Sequence, residues 1–484
     1  MPELTFAAVA AIVGAMPREV VSEARWFGGK GAAVASIVLE EGFDLGVGAA
    51  LAVVEVTDAA GSRGRYTLPI ATAAGGLAAA PDGAGTWRAL AVAVAEGRTI
   101  PSLPRRPGGA AGPGRVTAAL VCRPASALRA IAGDATAIAA LGERPLGVDQ
   151  SNTSVVLGDA LLLKAYRRLE VGLNPDLELT AYLSEEVGFE AVPRLAGFVE
   201  LVSSAGTSTV ALLQEFVAGA ADAYEATAEQ LAAWILSPGS VTVEFATEQE
   251  VDLGSLTAEL HAALAAARGI PEFGPREATT RELRDWHRAA VRQLQRAIDV
   301  TTGAAGDELR AMAPAIAEQL TVLEAAPTVP LVTRVHGDYH LGQVLATPDG
   351  YRIIDFEGEP TRPLAERRSH SSPLRDVASM LRSIDHVARS ARRRAEARRG
   401  GTIESPGLDI DAFLVRARHR FLAAYRTRLR ELGAPIAVDE DLLRAFEFEK
   451  ECYEFIYAAT YLPDWTWAPL EGMRALVAEA AAGR

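Results

Sequence analysis

Two polar segments that lie close together in the chain constrain its fold and chemistry more than any other feature. Residues 335–343 read VHGDYHLGQ, and residues 351–360 read YRIIDFEGEP. If the residues between them form a turn that joins two extended pieces, Asp338, Gln343 and Asp355 converge on one cleft. Phosphoryl transfer needs a carboxylate that orients the attacking hydroxyl, together with an amide and a carboxylate that hold Mg²⁺ against the phosphates. The sequence therefore predicts phosphoryl-transfer chemistry at this pair of segments.

The two segments resemble the H-G-D-x4-N and I-D signatures of the aminoglycoside-phosphotransferase-like, eukaryotic-protein-kinase-like families. Two departures stand out, because Gln343 replaces the usual Asn and Asp-Phe-Glu at 355–357 replaces Asp-Phe-Gly. The resemblance implies an α+β, bilobal, protein-kinase-like fold and a phosphotransferase that uses ATP and Mg²⁺. In this scheme Asp338 orients or deprotonates the acceptor hydroxyl, Gln343 and Asp355 bind Mg²⁺, and Glu357 adds a second carboxylate to the metal.

A kinase of this type also needs a nucleotide-binding lobe, and candidate parts lie before residue 218. Lys164 stands in an apolar strand, where an unpaired ammonium is costly, so a phosphate and a carboxylate are its expected partners. Glu178, 14 residues later near the start of the next helix, is the predicted ion-pair partner. The resemblance assigns further nucleotide contacts to a phosphate-covering turn and to a hinge: Ser151, Asn152, Thr153, Ser154, Gln214, Phe216 and Val217. The alternative for the turn is a polar hairpin tip.

Composition and the positions of helix- and strand-breaking residues divide the 484 residues into three predicted domains. A Pro- and Gly-rich stretch at 101–114 marks the first boundary, so we expect an α+β cap at 1–112, a β-rich nucleotide-binding lobe with the hinge at 113–217, and a helical lobe with the catalytic and sugar-binding site at 218–484. The arginine-rich run at 392–401 is expected to be a solvated connection. His261, in an Ala- and Leu-rich helix, is expected to be a core histidine.

The net charge and the cysteine content limit which binding partners and which cellular compartment are expected. The net charge of −14 argues against a nucleic-acid partner. The two cysteines are far apart in sequence, so neither a disulfide framework nor a zinc knuckle is indicated, and a reducing cytoplasm fits. The apolar stretch at 42–56 carries two acidic residues, which argues against a membrane span. Oligomeric state is left open.

A narrower resemblance, to the actinobacterial maltokinase group, which also contains glucosamine kinases, concerns the acceptor. It rests on RWFGGK at 25–30, HLGQ at 340–343, DFEGEP at 355–360 and SPLRDV at 372–377. Trp26 and Lys30 could fold over the active site, although packing is at least as well supported. Maltokinases typically carry an Asn-Arg pair where this chain has Tyr461 and Leu462, and a small apolar residue at the position of Glu451. The chain has therefore lost a disaccharide contact and gained a carboxylate.

The predicted sugar site lies on a carboxy-terminal helix. Glu447, Glu451 and Glu454 fall on one helical face, and such a run is usually a solvated acidic surface. Its position among aromatic residues, in the segment that resembles a sugar-binding helix of this group, favours instead a cation-binding pocket. With the lost disaccharide contact and the gained carboxylate, the resemblance then implies glucosamine, whose protonated amine a carboxylate stabilises, and glucosamine 6-phosphate as the product. The full set of predicted substrate contacts is Asp338, His340, Glu447, Glu451, Glu454, Tyr457 and Trp465. The alternatives are a maltokinase that forms maltose 1-phosphate, an aminoglycoside phosphotransferase, and a non-catalytic pseudokinase.

Overall fold

The computed structural model divides the chain into two compact units, Met1–Ala218 and Gly219–Arg484. The boundary predicted between residues 217 and 218 lies one residue from this division, whereas the one predicted between 112 and 113 lies outside the described residues. The structure describes residues 4–24, 26–28, 32–73, 76–105, 118–147, 152–237, 239, 241–267, 269–325, 329–359, 362–404 and 406–482.

The first unit is built mainly from antiparallel sheet. Its strands are β1 (Val34–Gly46), β2 (Ala49–Asp58), β3 (Arg63–Ala73), β4 (Gly76–Ala79), β5 (Thr99–Pro101), β6 (Ala118–Pro124), β7 (Glu143–Pro145), β8 (Thr153–Leu157), β9 (Leu161–Ala165), β10 (Arg168–Leu169), β11 (Leu195–Ser203) and β12 (Gly206–Glu215). Its helices are α1 (Phe6–Ala15), α2 (Arg18–Ser22), α3 (Thr86–Ala95), α4 (Leu128–Ala132), α5 (Ala135–Ala139) and α6 (Pro175–Ala181), and α6 continues into a π-helical turn, Tyr182–Val187.

Two sheets make up this unit, and both draw on residues from either side of the predicted cap boundary. One has the order β1-β2-β3-β10 with β4 added to β3, and the other has the order β5-β6-β11-β12-β9-β8-β7. One continuous core contains Trp87 and Leu90 from the early segment as well as Leu120 and Leu213 from the later one. Because the two segments share strands and a core, the division of this unit into a cap and a β-rich lobe stays a prediction.

The second unit is mainly helical. Its helices are α7 (Ala223–Leu236), α8 (Val243–Ala246), α9 (Glu248–Leu264), α10 (Thr280–Val300), α11 (Gly303–Leu320), α12 (Val322–Ala325), α13 (Leu364–Arg367), α14 (Leu374–Arg399), α15 (Ile410–Glu431), α16 (Glu440–Tyr461) and α17 (Trp467–Ala482). Its strands are β13 (Ala221–Asp222), β14 (Arg276–Glu277), β15 (Leu331–Val332), β16 (Val344–Thr347) and β17 (Gly350–Ile353). The α+β class is therefore confirmed.

The arginine-rich run is not a solvated connection, and that expectation is wrong up to Arg399. These residues form the last turns of α14, which ends at a left-handed Gly400. Arg394 pairs with both Glu225 and Glu229 of α7, at 2.8 and 3.1 Å. Cations at a helix carboxyl end are also favoured by the helix dipole, so the charge run extends the helix instead of ending it.

Across the described residues, no helix is long and apolar enough to cross a bilayer.

Candidate active site

A β-hairpin in the second unit brings the two sequence segments together. Strands β16 and β17 pair with Val344 opposite Ile353, as the predicted turn requires. The backbone N–H of Ile354 donates to the carbonyl of Gln343 at 3.0 Å. Gln343 ends a short 3₁₀ turn, and Asp355 follows Ile354 directly. The hairpin therefore places the predicted metal-binding amide and carboxylate residues at the same open end.

Asp376, at the start of α14, anchors the predicted catalytic loop, residues 335–340, which carries Asp338. Its two carboxylate oxygens accept the backbone N–H groups of His336 at 2.8 Å and Gly337 at 2.9 Å. His261 Nε2 lies 3.3 Å from the same carboxylate, and its Nδ1 lies 2.8 Å from the hydroxyl of Tyr425. Burial alone would raise the pKa of Asp376, but His261 and the backbone N–H group of Gly337 hold that pKa below its usual value. His261 is thus the satisfied core histidine that was expected.

Asp355 and Glu357 provide a donor set that suits a hard divalent cation. One carboxylate oxygen of Asp355 and one of Glu357 lie within 4.8 Å of each other. Asp355 has a left-handed backbone with φ of 64°, a conformation that costs a non-glycine residue on the order of 1 kcal/mol and that clusters at functional sites. Together with the amide of Gln343, these oxygen donors fit Mg²⁺, which prefers carboxylate and carbonyl ligands.

The side chain of Asp338 is 17% exposed and lies beside a lysine that sequence reasoning had not assigned to the site. Lys450 of α16 donates to Asp338 Oδ1 at 3.2 Å and also pairs with Glu454 at 3.1 Å. His340 Nε2 lies 3.9 Å from Asp338 Oδ2. Burial alone would raise the pKa of Asp338, but Lys450 and the nearby histidines hold it below its usual value. Burial lowers the pKa of His340 below its usual value, which favours the neutral imidazole.

Glu447 and Glu451 share one face of α16 as predicted, but arginines from neighbouring helices already engage both side chains. Both residues are 0% exposed. Glu447 accepts from Arg382 of α14 at 3.1 Å and from Arg418 of α15 at 2.7 Å. Glu451 accepts from Arg382 at 3.3 Å and lies 3.1 Å from His386 Nε2. A sugar amine would therefore have to compete with internal ion pairs for these two carboxylates.

The other predicted sugar contacts are less enclosed. The Glu454 side chain is 15% exposed, and its carboxylate belongs to the Lys450 pair described above. Tyr457 is 37% exposed, and its ring stacks on Tyr453 with a centroid distance of 6.4 Å. The ring of Trp465 packs edge-on against His386 at 5.0 Å. Glu454 is the one member of the acidic trio that the structure leaves partly exposed.

In the first unit, Lys164 of β9 pairs with a carboxylate on the helix that sequence reasoning had chosen. Its ammonium lies 2.9 Å from Asp176 Oδ2, which also accepts the hydroxyl of Tyr166 at 2.9 Å. Asn174 caps this helix by accepting the backbone N–H of Asp176, and Pro175 occupies the first turn. The predicted partner, Glu178, is buried on the same helix two residues further on. Asp176 is the carboxylate that the spacing argument missed.

The predicted turn and hinge residues occupy ends of β8 and β12. Ser151 lies outside the described residues, Asn152 precedes β8, and both Thr153 and Ser154 belong to that strand. The hydroxyl of Thr153 accepts from the buried Arg167 at 3.0 Å. Gln214 is buried in β12 opposite Leu162 of β9. Beyond the strand, the backbone N–H of Phe216 donates to the carbonyl of Ala160, and Val217 is half-buried.

Comparison with known proteins assigns the chain to a family. Residues 142–414 match the Phosphotransferase enzyme family. The chain belongs to this family. Sequence relatives include a glucosamine kinase from Streptacidiphilus jiangxiensis, 32% identical over 434 residues and 88% of each chain, and a glucosamine kinase from Mycolicibacterium smegmatis, 31% identical over 70% of this chain and 81% of the relative.

Solved structures of glucosamine kinases also align with nearly the whole chain. One, in complex with glucosamine, ADP and inorganic phosphate, aligns with a TM-score of 0.70 and 28% identity, covering 96% of this chain and 98% of its own. A second crystal form reaches a TM-score of 0.73 over 97% of this chain and 99% of its own. The kinase-like fold expected from the sequence is thereby confirmed.

Proposed function

We propose that this protein is an ATP-dependent glucosamine kinase that forms glucosamine 6-phosphate with Mg²⁺ as its metal. The observation that carries the proposal is the arrangement of Asp338, Lys450 and Glu454, which bear two negative charges and one positive charge. The net charge of −1 suits an acceptor that carries one ammonium group and one reactive hydroxyl. The named relatives and the glucosamine-bound structure support the same substrate.

In the proposed reaction, each side chain has a role that follows from its chemical properties. Asp338 accepts the hydrogen of the acceptor hydroxyl and aims its oxygen at the γ-phosphorus. The new O–P bond forms as the bond between the γ-phosphorus and its bridging oxygen to the β-phosphate breaks. ADP leaves, and the hydroxyl proton passes to Asp338 and from there to water. Lys164 binds ATP phosphate oxygens as a point charge, and Asp176 keeps its ammonium in place.

The metal-binding set in this proposal is Gln343, Asp355 and Glu357. When bound there, Mg²⁺ supplies positive charge that offsets the charge on the phosphate oxygens. The left-handed backbone of Asp355 sets the direction in which its carboxylate leaves the hairpin. The nucleotide contacts at the turn and the hinge belong to the same proposal. A cytoplasmic location matches the supply of ATP.

For the sugar amine, Glu454 is the carboxylate we favour among the predicted contacts. Glu447 and Glu451 each face arginine, so a ligand amine would have to break a buried ion pair in order to reach them. Glu454 instead shares a single ammonium with Asp338, and it keeps partial exposure. A carboxylate in this situation can accept one further charged hydrogen bond without leaving an arginine unpaired.

A coupled assay of ADP release across five acceptors tests the proposal. The acceptors are glucosamine, maltose, glucose, N-acetylglucosamine and an aminoglycoside, each with and without Mg²⁺. We expect kcat/KM to be highest for glucosamine, N-acetylglucosamine to be inactive because its nitrogen is neutral, and Asp338→Ala to reduce kcat by orders of magnitude with ATP affinity nearly unchanged. Preference for maltose, or near-normal turnover of the alanine variant, would refute the proposal.

A further inference from the structure

Lys450 is a buried cation that belongs to no predicted site, yet it contacts the carboxylate at the centre of the proposed reaction. It lies midway along α16, with a side chain that is only 10% exposed. Its ammonium lies 3.2 Å from Asp338 Oδ1, 3.1 Å from Glu454 Oε1 and 4.5 Å from the centre of the Tyr453 ring. A buried ammonium survives only with such partners, so this geometry ties α16 to the catalytic loop by charge.

The contacts of Asp338 differ between its two oxygens. Oδ1 accepts the hydrogen bond from Lys450, whereas Oδ2 lies on the side of His340. A carboxylate with one oxygen held by a charged donor keeps a fixed plane, because the side chain cannot rotate without losing that bond. One oxygen is therefore occupied by the protein, and the other is the natural acceptor for a substrate hydroxyl.

Because this inference concerns Asp338, it rests on the proposed function. We propose that Lys450 is a positioning residue for phosphoryl transfer: it fixes Oδ1 of Asp338, so that Oδ2 receives the acceptor hydroxyl. Lys450 acts through Asp338 and not through the nucleotide. Glu454 offsets the charge of Lys450, so the ammonium does not repel a cationic acceptor.

The electrostatic surroundings of the pair agree with this role. The groups that face Asp338 are Lys450 from α16 together with His340 and His336 from the catalytic loop, and they hold its pKa below the usual value against the effect of burial. The groups that face Lys450 are Glu454 and Tyr453 of its own helix, Asp338, and Glu359 from the segment after β17. Burial alone would lower the pKa of Lys450, but Glu454, Asp338 and Glu359 keep it well above the usual value.

The test compares Lys450→Met, Lys450→Arg and a control, Arg418→Met. The control removes a cation that pairs with α16 at Glu447 and does not contact Asp338. We expect Lys450→Met to lower kcat at least about tenfold, the effect of losing one charged hydrogen bond, with little change in the Kd for ATP. Lys450→Arg should recover most of the loss, and Arg418→Met should lower the Tm but retain kcat.

The pH profile separates positioning from mere stabilisation. In the wild type Asp338 is ionised throughout the usual assay range, because its pKa is below the usual value. Without Lys450, burial raises the pKa of Asp338, so the acid limb of kcat/KM should move to higher pH in Lys450→Met and return in Lys450→Arg. An unmoved acid limb together with normal kcat in Lys450→Met would overturn the inference.

A double-mutant cycle keeps the inference testable if Lys450→Met is poorly stable. If Lys450 acts through Asp338, Asp338→Asn combined with Lys450→Met should lose no more activity than Asp338→Asn alone. Additive losses would contradict the inference. Near-normal activity in Asp338→Asn alone would instead refute the proposed function, so the two failures can be told apart.

Discussion

Replacing Asp376 with Asn should loosen the catalytic loop without removing any group that touches a substrate. The amide can accept only one of the two backbone N–H groups, from His336 and Gly337, that the carboxylate now accepts. A hydrogen bond to a charged group contributes about 1.5 to 3 kcal/mol, and an unsatisfied buried N–H costs about 1 to 3 kcal/mol. Because these two effects overlap, we expect a loss of about 2 to 4 kcal/mol in the free energy of unfolding.

Calorimetry and steady-state kinetics should both register this change. For a unit of this size each kcal/mol lowers the Tm by about 2 to 4 °C, so we expect a fall of roughly 4 to 16 °C. The kcat should fall more than tenfold, because the loop that carries Asp338 loses its anchor, while the KM for ATP changes little. A matched control is Asp385→Asn, which breaks a buried pair with Arg389 on the same helix but does not contact the loop.

The pH dependence gives an independent check with a definite sign. The pKa of Asp376 in the folded protein is lower than its usual value of 3.8, so its carboxylate stabilises the fold above that value. The contribution is lost as the pH falls through the folded-state pKa. The difference in stability between wild type and Asp376→Asn should therefore be constant near neutrality and narrow below about pH 4. A normal Tm, or a fall in kcat equal to that of the Asp385→Asn control, would refute the reasoning.

Two further predictions concern the metal and the sugar. Asp355→Asn should weaken Mg²⁺-dependent ATP binding, as measured by titration at several Mg²⁺ concentrations, and an unchanged metal dependence would make Asp355 structural. Glu454→Gln should raise the KM for glucosamine about tenfold to a hundredfold, and it should also lower the Tm because it weakens the pair with Lys450. Glu447→Gln should lower the Tm, because it weakens the pairs with Arg382 and Arg418, but leave the KM nearly unchanged. Equal effects of the two substitutions on KM would contradict the assignment of the amine to Glu454.

The sequence was most informative where a function depends on a short local pattern. The hairpin of β16 and β17, the catalytic-loop motif and the helix that begins after Asn174 all follow from residues adjacent in the chain. Such features can be predicted from the sequence because the conformations of turns, helix caps and tight loops are determined mainly by residues that are close in the chain. The metal-binding prediction benefits in the same way, since Gln343 precedes the first strand and Asp355 follows the second strand of one hairpin, at its open end.

The sequence alone could not predict which charged residues pair with each other across the fold. Spacing and resemblance suggested Glu178 as the partner of Lys164, and the structure adds Asp176, which faces the strand from an earlier position on the same helix turn. Lys450 is similarly hidden, because its partner Asp338 lies 112 residues away. A lone lysine in an acidic and aromatic helix was the one available signal, and it could equally have indicated an ordinary intrahelical pair with Glu454.

The periodicity of α16 was interpreted correctly as one face, but its surroundings were not foreseeable. The acidic stripe divides between two environments, since Glu447 and Glu451 meet arginines of α14 and α15, whereas Glu454 pairs with Lys450, which contacts Asp338. The first group balances its charge internally, and burying those pairs anchors α16 against its neighbours. The anchored helix then holds Lys450, together with its partner Glu454, in contact with Asp338. Under the proposed function, Glu454 is the carboxylate of this trio that would accept the sugar amine, while Glu447 and Glu451 hold in place the helix that carries it.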